Sequence, residues 1–216
     1  MLVSRALFYD GYNLDSNTED SVNNYSKVEG AQPVYTKGDV IDKLKNDKYN
    51  VIVLAGHACP NVISIGAGMG GPDYQKTKEV TLQKFQDSKK FFKKCLSKHF
   101  IKGTTAPILF LAGCELYDNT NDATKPSLLK KISEVMEKVL VIGPCSLVKP
   151  ELKKNSLNIK LESKVGVKAD FDFSLTLAAF WNGKRIEDIE TILELTECED
   201  EKSLQRLLCK WELQKV

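Results

Sequence analysis

Two short stretches of this chain end in a residue capable of covalent chemistry: Leu54-Ala55-Gly56-His57 and Leu111-Ala112-Gly113-Cys114. An imidazole beside a thiol lowers the thiol's pKa and carries its proton, so the pair can deliver a thiolate nucleophile to an acyl carbon. The choice of base is narrow, because the chain has only 2 histidines. The other, His99, closes a helical pattern beside Phe100 and reads as a capping or half-buried residue. The chemistry in prospect is acyl transfer. Cys114 attacks a carbonyl, His57 protonates the leaving group, and water hydrolyses the thioester.

Such a pair works only if the elements before it bring the two residues together. Val51–Ala55 and Ile108–Ala112 are continuous apolar runs, the pattern of central strands buried on both faces. If they are parallel neighbours, about 4.8 Å apart, their carboxyl ends share the rim where open α/β sheets gather ligands. The glycines before His57 and Cys114 would let the backbone turn there.

Further strands are expected at Ala6–Tyr9, Pro33–Tyr35 and Val139–Ile142, the last closed by Gly143-Pro144, with a weaker one near 157–161. Asp39 should cap a helix over Val40–Asn46. Leu82, Phe85, Phe92 and Leu96 mark a long helix ending near His99. Another helix starts near Pro126, with Leu128, Leu129, Ile132, Val135 and Met136 inward. Residues 61–81 read as a hairpin or loop region, and helices are expected around 170–181, 185–196 and 201–214, the first two separated by Asn182-Gly183. Strands alternating with helices predict one α/β domain over 1–216, with helices on both faces of a mainly parallel sheet.

Bulk properties narrow the function. Lys and Arg number 31 against 29 Asp and Glu, a net charge of +2, which argues against a nucleic-acid binder. No apolar run approaches ~18 residues, so no membrane span is expected. The amino terminus reads as a first strand rather than a signal peptide, and the 6 cysteines are irregularly spaced. Reduced thiols in a cytoplasmic setting are the expectation. The dyad needs no cofactor or metal, and a zinc site would need more ligands than Cys59 and the histidines offer.

The paired patterns "apolar block–Gly-His" and "apolar block–Ala-Gly-Cys" resemble the caspase-like clan of cysteine peptidases, which includes caspases, metacaspases, legumain, gingipains, separase and the CHAT proteins. Val80–Phe85 is similar to the segment that opens the helix between the two catalytic strands in that clan. Val139–Val148 resembles the strand and loop that line the primary specificity pocket, and Phe180–Ile189 the ending of CHAT domains. The resemblance implies a three-layer α-β-α sandwich and a peptidase acting on a polypeptide substrate. It implies an oxyanion hole from the amides of Ala58 and Cys114, and a specificity pocket involving Asp10 and Ser146. An acid at position 10 would favour a basic substrate residue by charge pairing, or could instead cap a turn with Gly11. The sequence departs from the clan in carrying Ala58 where glycine usually follows the histidine, and Glu115 after the cysteine.

Two other readings stay open: a catalytically silent caspase-like binding module, and a flavodoxin-like nucleotide binder using Gly66-Ala67-Gly68-Met69-Gly70-Gly71. The sequence names neither an activator nor an oligomeric partner.

Overall fold

The computed structural model describes residues 5–11, 30–65, 79–101, 107–113, 116–117, 126–145, 148–153, 156–161, 177–186, 202 and 206. The sheet is built from the apolar runs. Its strands are β1 (Arg5–Asp10), β2 (Gln32–Val34), β3 (Val51–Ala55), β7 (Ile108–Ala112), β8 (Leu140–Pro144), β11 (Leu177–Trp181) and β12 (Lys184–Ile186), in the spatial order β12-β11-β8-β7-β3-β1-β2. The pairs from β2 through β8 are parallel, and β11 runs antiparallel to both β8 and β12. The chain is therefore α/β with a mostly parallel mixed sheet, as its alternating pattern predicts. Every residue of β3, β7 and β8 is buried, the reason their sequences carry no polar alternation.

Between the last two strands, the expectation of a helix over 170–181 fails. Leu177–Trp181 is a strand, and Lys184–Ile186 pairs with it rather than starting a second helix. Asn182 and Gly183 have φ of 47° and 78°, the positive angles that a tight two-residue hairpin loop demands. Asn-Gly is thus a hairpin turn here, not a boundary between helices. The remainder of those expected helices lies outside the described residues, apart from Lys202 and Arg206, which are helical.

Three helices pack together as one layer. They are α1 (Lys37–Leu44), α2 (Phe85–Lys90, continuing through a wide turn at Phe91–Leu96 and a tight one at Ser97–His99) and α3 (Leu128–Val135). Thr36, not Asp39, is the N-cap of α1. Its hydroxyl accepts from the Asp39 amide while the Asp39 carboxylate accepts from the Thr36 amide, closing a capping box that starts the helix three residues earlier than expected. Pro126 likewise stands before the cap of α3 and not in its first turn; Ser127 is the cap, accepting from the Lys130 amide at 3.2 Å. Leu128, Leu129, Ile132 and Met136 are fully buried against the sheet residues Leu109, Leu111 and Val141 in the same core.

Two smaller sheets complete the described chain. β4 (Ala58–Cys59), β5 (Val62–Ser64) and β6 (Glu79–Thr81) form an antiparallel trio, and β9 (Val148–Lys153) pairs with β10 (Ser156–Leu161). The first meets the expected hairpin over 61–81, and β10 covers the expected strand near 157–161. Among the described residues no helix is long and apolar enough to cross a membrane.

Candidate functional site

The rim carrying the candidate site forms where β3 and β7 end side by side. Their register pairs Leu54 with Leu111 and Ala55 with Ala112, so Gly56-His57 and Gly113-Cys114 continue from matched positions. The ladder runs one step past the strands, with the Gly56 amide donating to the Ala112 carbonyl at 3.2 Å. His57 follows at once and is half-buried. Cys114 lies outside the described residues, as do Glu115, Ser146 and the glycine loop 66–71.

Both glycines are required by contact rather than by a turn. A β-carbon on Gly56 would fall inside the Ser64 carbonyl oxygen. One on Gly113 would overlap the Ala58 β-carbon and approach the Gly56 oxygen to 2.9 Å. Neither glycine is among the described residues with positive φ. The backbone after β3 folds back as the β4–β5 hairpin and lies directly on the tip of β7. The Ser64 amide, donating to the His57 carbonyl at 2.8 Å, closes this hairpin.

Ala58, whose amide is the candidate oxyanion donor, therefore packs against the residue that precedes Cys114. Asp10 closes the other side of the rim from the tip of β1. It is 0% exposed, and its Oδ2 accepts from the Ser64 hydroxyl at 2.8 Å. This buried carboxylate is bound within the fold. Beside it, burial pushes the Tyr9 phenol up, and neighbouring Tyr35 adds to the effect, so Tyr9 stays protonated near neutrality.

The chain returns to the rim at Leu116 and Tyr117, both buried. The Leu116 carbonyl accepts from the Asn61 amide at 3.0 Å, and the Tyr117 amide donates to the Pro144 carbonyl at 2.9 Å. The Tyr117 ring meets Phe180 at 5.6 Å, and the Arg185 guanidinium lies over it, 5.2 Å from its centroid. The segment just past Cys114 is thus fixed to the β4–β5 turn, to β8 and to the terminal hairpin.

His99 is far from this chemistry in role. It is 2% exposed, its Nδ1 lies 3.1 Å from the Asp47 carbonyl oxygen, and its Nε2 is buried without a hydrogen-bond partner. Since a carbonyl only accepts, Nδ1 carries the proton. Burial holds the imidazole below its ordinary pKa, and the Asp47 carbonyl partly offsets that. His99 is more deeply buried than its sequence position suggests.

Cys59, Cys95 and Cys145 are thiols rather than disulfides. Cys95 and Cys145 pack on the core. Ser64 and Asn61 escape a reading of the sequence alone. No motif marks Ser64, whereas Cys59-Pro60-Asn61-Val62 carries a visible turn signature: proline second, asparagine third. No family model, curated protein or solved structure matches this chain.

Proposed function

We propose that this chain is a cysteine endopeptidase of the caspase-like type, with Cys114 as nucleophile and His57 as general base and acid. The observation carrying the reading is the in-register parallel pairing of β3 with β7, which starts both reactive segments from opposed alanines on one rim. The thiolate of Cys114 adds to a substrate carbonyl, and the amides of Ala58 and Cys114 hold the oxyanion. His57 protonates the departing amine and then draws a proton from the water that cleaves the thioester. A peptide amide at Ala58 serves as well as one at glycine, because the donor is the backbone.

The full sandwich belongs to the same proposal. α1, α2 and α3 supply one layer of it. Three cysteines held as thiols support a reducing, cytoplasmic setting. A preference for basic substrate residues would require Asp10 to exchange its bond from Ser64 for a substrate cation.

The test is covalent labelling with a peptidyl acyloxymethyl ketone, followed by a positional-scanning peptide library. Wild type should label at Cys114, while Cys114→Ala and His57→Ala should lose labelling and turnover by several orders of magnitude. Equal, slow reaction of wild type and His57→Ala would overturn the peptidase reading in favour of a silent binding module. In the library, Asp10→Asn should flatten any Lys or Arg preference.

A further inference from the structure

We infer that Asn61 is a positioning residue, locking the arm that bears His57 to the segment that follows Cys114; this rests on the dyad proposed above. Asn61 sits at the tip of the β4–β5 hairpin, four residues past His57, with φ of 63°. Three of its polar groups go to three separate parts of the chain. Its amide donates to the Leu116 carbonyl at 3.0 Å, and its carbonyl accepts from the Leu82 amide at 3.0 Å. Its side-chain Oδ1 accepts from the Leu128 amide, at the first residue of α3, at 2.9 Å.

Each bond fixes a different coordinate of the arm. The Leu116 bond sets the distance from the arm to the chain two residues beyond Cys114. The Leu82 bond ties the arm to the segment entering α2. The Oδ1 bond anchors the tip to α3, whose buried face packs on the sheet, and satisfies a helix-start N–H that has no partner within its own helix. Ser127 satisfies the amide two residues later, so Asn61 and Ser127 share the cap of α3. With Ser64 closing the base of the hairpin on His57, the arm is held at both ends. Asparagine suits the position twice: it tolerates the left-handed conformation, and its short amide reaches α3.

The experiment measures the alkylation rate of Cys114 by iodoacetamide against pH, read by mass spectrometry of the peptide containing it, for the full chain and its variants. Asn61→Gly keeps the backbone conformation and both backbone bonds but removes Oδ1. Asn61→Asp keeps an acceptor at the same reach, at a helix start that favours negative charge. Asn61→Ser, too short to reach α3, repeats the deletion should the glycine variant fold poorly.

Asn61→Gly and Asn61→Ser should slow Cys114 alkylation near pH 6.5 by roughly tenfold or more. They should move its titration toward that of an ordinary thiol at about 8.5, and lower kcat more than raise KM, while Asn61→Asp behaves as wild type. A thermal shift with an unchanged Cys114 titration would make Asn61 merely structural and overturn the inference while leaving the dyad intact. A wild-type titration already insensitive to His57→Ala would instead remove the dyad, and this inference with it.

Discussion

The two ends of the β3–β7 pair are built in opposite ways. At the amino end the backbone ladder simply continues: the Ile108 amide donates to the Asn50 carbonyl and the Leu140 amide to the Pro107 carbonyl, each at 2.8 Å. Tyr49 and Phe100 bridge in parallel, bringing the end of the long helix alongside. At the carboxyl end, past Gly56, the chain doubles back so closely that two positions have no room for a methyl group. Regular pairing accommodates side chains. Backbone-on-backbone packing excludes side chains and holds one arrangement, which is what the proposed dyad would need.

The sharpest way to break this contrast is to add one carbon at the tight end. Gly56→Ala should destabilise the fold by more than about 3 kcal/mol, because the clash is with backbone that cannot rotate away. Thermal unfolding followed by circular dichroism should show a large fall in Tm or no cooperative transition. Gly113→Ala should come close behind, since Ala58 and the Gly56 carbonyl stand in its way. A near-wild-type Tm for both would show that the rim is looser than its contacts imply.

Between the two ends, Leu109→Ala and Leu111→Ala remove fully buried side chains from the middle of β7 and should each cost about 2–5 kcal/mol in urea unfolding. Ser127→Ala, deleting a cap of α3 beside the rim, should cost only about 1 kcal/mol by the same measurement.

The smallest effect belongs to the amino end. His99 is held neutral by burial, so protons bind the unfolded chain more readily than the folded one. Its contribution is intact above the unfolded imidazole pKa of about 6.5 and is lost as pH falls below it. Urea unfolding at pH 7.5 and pH 5.5 should therefore show wild type losing more stability on acidification than His99→Gln, whose amide can still donate to the Asp47 carbonyl. Parallel losses would mean that other groups carry the acid sensitivity.

What could be read in the sequence follows from where information is local. Val51–Ala55, Ile108–Ala112 and Leu140–Ile142 announce themselves because burial on both faces demands unbroken apolar runs. Leu177–Trp181 does not, because Leu, Ala and Phe suit a helix equally well. Only the open edge of β8 and the Asn-Gly turn decide for a strand.

At the site, the matched Gly-His and Gly-Cys tips are visible as a pattern. The reason for their glycines is not, since the obstructing Ser64 carbonyl and Ala58 β-carbon belong to a fold-back no local signal specifies. Asp10 looks like an available anion in sequence and is enclosed in the fold because Ser64, 54 residues away, reaches it. Asn61 shows its turn preference but not its three long-range bonds.

The order in which strands are laid down has a consequence for how the protein is made. From β1 onward, β3, β7, β8, β11 and β12 each join at the same growing edge in the order of synthesis, with β2 alone on the far side. A chain emerging amino end first can dock each new strand on a template already in place. The strand leading to His57 is therefore synthesised before the one leading to Cys114, and β7 joins the sheet beside a neighbour that has already been made.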